Sequence, residues 1–175
     1  MRGMKLVLGG LLLAGACYGL WRLTAPAPSE EERIRAAFAA AATAAEERRP
    51  AGVVELLSAG FRGQRGLDRE QARGIVTLEV LRAGWVSVTI AGAEVQVDGE
   101  RARANVDAVL SRAPAGTGLA RLVPSEASAH RFSCDLRLED GEWRVVSAEW
   151  RPIELADALQ GPPAPEPLDA PAEAP

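Results

Sequence analysis

The feature that most limits what this chain can fold into is a change of hydrophobic period near residue 86. Upstream, apolar residues recur every three or four positions: Ile34, Ala37, Phe38, Ala41 and Ala45 form one stripe, and Ala72, Ile75, Val76, Leu78 and Leu81 another. Downstream the repeat is two. Val86, Val88 and Ile90 alternate with polar residues, and after Ala91-Gly92 the phase moves to Ala93, Val95 and Val97. Helices buried on one side have a period of 3.6 and half-buried strands a period of 2. A phase slip at a glycine is what a β-bulge produces, bending the strand and its sheet. The chain therefore reads as helices first and an antiparallel sheet second, an α+β order with the helices on one sheet face.

Local punctuation divides these blocks. Ser29 with Glu32, and Asp68 with Gln71, have the spacing of capping boxes that start helices. Pro50 stops the first helix near Arg48 and starts a short one over 51–58 that buries Val54 and Leu57. Residues 60–66 read as a Gly/Arg loop. Asp98-Gly99 and Asp140-Gly141 are hairpin turns, and 112–127 is a long loop. His130, Phe132, Cys134, Leu136 and Leu138 share the apolar face of the third strand, and 142–151 forms the last. The expectation is three N-terminal helices packed on a curved, bulged four-stranded antiparallel sheet, a single domain over 29–151.

Residues 1–23 set an expectation about compartment. The uncharged run 6–21 lies between Lys5 and Arg22, with Tyr18 and Trp21 near its end. Sixteen residues of helix span about 24 Å, just short of a hydrocarbon core unless the flanks snorkel. A single-pass anchor with the domain on the external or periplasmic side fits this run. Ala14-Gly15-Ala16-Cys17 also has the shape of a lipoprotein cleavage site, which would lipidate Cys17, and a cleaved secretory signal is the third reading. Residues 24–28 form a linker. Residues 152–175 hold seven of the twelve prolines and five acids without a base, and read as a disordered acidic Ala/Pro tail with room for one helical turn over 153–159.

Charge and composition exclude several functions. The net charge is −4 with a single Lys and a single His, the wrong balance for a nucleic-acid binder. Two Cys and one His cannot build a multi-Cys zinc module or a disulfide scaffold. His130 and Cys134 lie four residues apart on one strand, about 13 Å, too far to share an ion. No metal or cofactor is expected. The glycines and arginines of 60–66 lack the Gly-Lys-Ser/Thr ending of a phosphate loop.

The order of parts, with Gly141-Glu-Trp-Arg-Val-Val-Ser-Ala-Glu-Trp150 as closing strand and Phe61-Arg62-Gly63 ahead of a capped helix, resembles the nuclear transport factor 2-like (NTF2-like) superfamily, also described as cystatin-like. The resemblance implies a cone with a pocket between the concave sheet face and the helices, and pairing of two copies through the sheet. Phe38, Ile75, His130, Phe132 and Cys134 are the expected pocket-lining residues. The superfamily holds isomerases, dehydratases and pure binding proteins, so the fold alone gives no activity. His130 is the one candidate general base, with Glu149 as its only candidate partner. With so few polar groups, the leading expectation is a non-catalytic, membrane-anchored, envelope-facing domain that binds a small ligand or a protein. The alternatives are a small lyase or isomerase using His130, and a scaffold subunit of an envelope complex.

Overall fold

The computed structural model describes residues 27–82, 87–111 and 127–168. Residues 1–26, with the anchor or signal segment and Cys17, lie outside them, as do most of the 112–127 loop and Trp85. Among the described residues no helix is long and apolar enough to cross a membrane.

The chain forms α1 (Glu30–Glu46), α2 (Pro50–Val54), β1 (Leu57–Gly63), α3 (Arg69–Arg82), β2 (Ser87–Asp98), β3 (Arg101–Ser111), β4 (Ala127–Glu139), β5 (Glu142–Ile153) and α4 (Leu155–Gln160). Both capping boxes close. Ser29 Oγ accepts from the Glu32 amide and Glu32 from the Ser29 amide. Asp68 and Gln71 exchange the same pair of bonds at 2.9 and 3.0 Å.

The sheet corrects the expected topology. It has five strands in the order β1-β5-β4-β3-β2, and β1 runs parallel to β5, so the sheet is mixed. β1 occupies residues read as a helix end and a Gly/Arg loop. Within Leu-Ser-Ala-Gly-Phe-Arg-Gly only Ser58 and Phe61 are buried, so the strand carries too weak an alternation to announce itself. Its neighbour supplies the order, with Val145 N–H donating to Leu56 O and Arg62 opposite Ser147. The helix layer is thinner than expected: α1 and α3 are long, but the middle helix shrinks to the five residues of α2.

Among the described residues, two bulges interrupt the antiparallel ladders and bend the sheet. One falls between Ile90 and Gly92, at the phase slip. In the other, Leu136 pairs with Val145 and Asp135 with Ser147, leaving Val146 as the extra residue. Val145 is therefore in the core and Val146 half-buried. The core lies between α1 and the inner sheet face, where Ile34 and Phe38 meet Ala104, Val106, Leu136, Trp143 and Val145. Trp143 Nε1 donates to Glu30 Oε2 at 2.6 Å, tying the start of α1 to the last hairpin. With Arg33, that bond holds the Glu30 carboxyl below its ordinary pKa. The hairpin turns at Asp140-Gly141, both with positive φ, as a two-residue turn between twisted strands requires.

The segment expected to be a disordered tail from residue 152 also differs. β5 continues to Ile153, α4 follows with Ala158 fully buried, and residues 161–168 lie along the outer sheet face. Four of those eight residues are proline. Proline enters with φ already fixed, so ordering such a stretch costs less than the usual 1–2 kcal/mol or so per residue.

Candidate functional site

The outer sheet face carries a run of polar groups bonded across strands. Three cross-strand pairs stand in direct register between β3 and β4: Arg103 with Asp135, Asn105 with Ser133, and Asp107 with Arg131. All six side chains share one face because strand side chains alternate, and each pair is bonded. Arg103 Nε donates to Asp135 Oδ1 at 3.0 Å, and Ser147 Oγ, from β5, donates to Asp135 Oδ2 at 2.8 Å. Ser133 Oγ donates to Asn105 Oδ1 at 2.9 Å. Arg131 grips Asp107 through Nε and Nη2, both at 2.7 Å. Asp107 is fully buried, and its carboxylate raises the Arg131 pKa further.

Each rung also holds a carbonyl of the C-terminal segment. Arg131 Nη2 donates to Gly161 O at 3.4 Å and Asn105 Nδ2 to Pro163 O at 3.0 Å. Arg103 Nη1 donates to Glu166 O at 3.0 Å and to Pro167 O at 3.1 Å. Residues 161–167 thus run along β3 in the opposite sense. Beside them is a cavity of about 540 Å³ along which Ser133, Ser147 and Glu149 lie.

The sheet separates the other two candidates. His130 pairs with Ala108 and Pro152, on the side of Phe132, Cys134 and the core. Glu149 pairs with Ser133 and therefore stands on the outer face. The sheet lies between imidazole and carboxylate, so Glu149 cannot orient His130. Among the described residues none hydrogen-bonds the ring. Its neighbour is Phe132, with centroids 6.5 Å apart, and burial lowers the His130 pKa.

The remaining expected pocket residues scatter. Phe38 and Cys134 are closed into the core, and burial pushes the Cys134 thiol up to about 12. Phe132 packs half-buried against that core. Ile75 is 45% exposed, because α3 buries Ala72 and Val80 and turns Ile75, Leu78 and Leu81 outward. A shallow cavity of about 410 Å³ follows this flank of α3. Among the described residues no group of three or more His, Cys, Asp or Glu is placed to hold a metal ion.

The rungs were missed in the sequence although a signal existed. β3 reads Arg-x-Asn-x-Asp and β4 reads Arg-x-Ser-x-Asp, which are complementary when run antiparallel. The polar phase of an amphipathic strand is ordinarily just its wet side, so the complementarity does not stand out without the register.

Solved structures that share this fold include proteins described as NTF2-like or cystatin-like. A cystatin-like protein of unknown function from Nostoc punctiforme aligns with a TM-score of 0.55 and 10% identity, over 71% of this chain and 93% of its own. An uncharacterised cystatin-like protein from Caulobacter vibrioides aligns with a TM-score of 0.55 and 16% identity, over 75% and 96%. An NTF2-like protein of unknown function from Pseudomonas putida has a TM-score of 0.55 and 16% identity, over 69% and 84%. No protein-family model and no curated protein matches the sequence. The class is thus an α+β NTF2-like fold, and at these identities the likeness speaks for fold alone.

Proposed function

We propose that this is a non-catalytic binding domain of NTF2-like fold, held at a membrane by residues 1–23 and facing the envelope, that engages a protein partner. One observation carries the reading: the bonded polar ladder of the sheet grips peptide carbonyls, while His130 stands alone on the other side. A general base needs a group to orient it and a site beside it where a reacting atom can sit. Arg103, Asn105 and Arg131 instead present fixed donors, which suits recognition. The membrane attachment is supported by the uncharged 6–21 run between Lys5 and Arg22.

The test combines fractionation with site-specific photo-crosslinking in cells, the crosslinker replacing Gln96 on the exposed outer face of β2. The full chain should sediment with membranes and give a discrete adduct with an envelope protein. A soluble chain without adducts would overturn the proposal, as would turnover of any substrate that depends on His130.

A further inference from the structure

We propose that the outer sheet face is a receptor for extended, proline-rich polypeptide, that residues 161–168 occupy it in cis, and that its partner in trans is a protein segment of the same chemistry. This rests on reading the domain as a binding module. Four residues of Gly161-Pro-Pro-Ala-Pro-Glu-Pro-Leu168 lack an N–H. Each proline also restricts the residue before it to extended backbone, so residues 162–167 are pre-set as an open, left-handed-type strand, entered through Gly161 at a positive φ that suits glycine. Such a strand offers carbonyl acceptors and few donors. The ladder offers the reverse, guanidinium and amide donors aimed outward. Arg131 meets Gly161 O, Asn105 meets Pro163 O, and Arg103 meets Glu166 O and Pro167 O.

The receptor is held in place from behind. Asp107, Ser133 and Asp135 fix the three donors, so little side-chain freedom is lost when a strand docks. Its spacing also fits. From Asp107 to Arg103 is four strand residues, about 13 Å, and from Gly161 to Glu166 is five residues of extended proline strand, about 16 Å. Gly92 supplies a notch: a Cβ there would lie 2.7 Å from Pro162 Cδ and 3.3 Å from Gly161 Cα. The contacts read backbone rather than side chains, so any strand with prolines at similar spacing satisfies them. The tethered segment competes at an effective concentration on the order of millimolar. It therefore keeps the face shut until a tighter strand arrives.

Asn105 is the only asparagine in the chain, and its side-chain amide makes the central contact, so asparagine-selective ¹⁵N labelling of the full chain reads this site directly. Replacing Pro163, Pro165 and Pro167 with Gly in the full chain should move that amide resonance. Free peptide of the 161–168 sequence should return it to the wild-type position, and a peptide with those three prolines replaced by Gly should bind at least about tenfold more weakly. Arg103→Ala in the same background should weaken the native peptide by a similar factor. A second reading needs no substitution: excess spin-labelled peptide should broaden the Asn105 amide of the wild-type chain. A resonance indifferent to the proline changes, to millimolar peptide or to the spin label overturns the proposal. A resonance that moves with chain concentration assigns the face to a second copy and overturns it too. Failure here leaves the binding reading standing, which only the outcomes named for that reading would remove.

Discussion

Asp107 and Arg131 stand opposite each other in the β3–β4 register and close a two-pronged ion pair, both bonds 2.7 Å, beneath the Gly161 carbonyl. The carboxylate has no solvent access and the guanidinium very little. A pair of this kind adds little net stability over a well-packed apolar pair, but a lone buried charge is costly. Arg131→Met should therefore destabilise the fold by about 3 kcal/mol or more, and Asp107→Leu combined with Arg131→Met should recover most of that loss. Urea unfolding of the two variants checks it. Equal losses would mean that the pair is solvated and only a surface contact.

Two glycines should respond in opposite ways. Gly92 faces Pro162, so Gly92→Val must displace the C-terminal segment or bend the bulge, at a cost of about 1–3 kcal/mol. Gly74 lies within α3 with nothing within 4 Å of an added Cβ, and Gly74→Ala should stabilise by about 0.5–1 kcal/mol through helix propensity. Thermal melts of both variants suffice. A neutral Gly92→Val would show that residues 161–168 do not rest on that notch.

What the sequence disclosed depended on how much of each signal was local. The capping boxes at Ser29 and Asp68 and the bulge at Gly92 follow from a few neighbouring residues, and all three are present. β1 is a strand because β5 lies beside it, which no window around Phe61 could reveal. Ile75 matched the helical stripe, but α3 has two apolar flanks, and packing chose the one with Ala72 and Val80. Phase alone could not say whether Glu149 shares a face with His130, since the adjacent Val145 and Val146 hid the bulge that sets the facing of β5. The donor ladder was written in both strands, yet its meaning required the register and a segment some thirty residues further on.

Cys134 should be chemically silent. It is buried in the core and its thiol is pushed up to about 12, so almost no thiolate exists at neutral pH. Maleimide treatment of the native chain should leave Cys134 unmodified, and the same treatment in denaturant should label it. Peptide mass mapping distinguishes it from Cys17. Rapid native labelling at Cys134 would mean that the β4 core opens readily.

The single imidazole gives a pH signature whose sign is fixed by its surroundings. Burial lowers the folded-state pKa of His130 from the ordinary 6.5, so in the window below that value the unfolded chain binds the proton more readily than the folded one. Its contribution is therefore present in full above about pH 6.5 and lost as pH falls towards the folded-state pKa. His130→Gln should flatten this part of the stability profile while leaving the plateau above neutrality little changed. NMR titration of the ring in the full chain should give a midpoint below 6.5. A midpoint above it would require an acid beside the ring on the inner face. Since Glu149 lies across the sheet, that acid would have to come from another segment, and the case for His130 as a base would reopen.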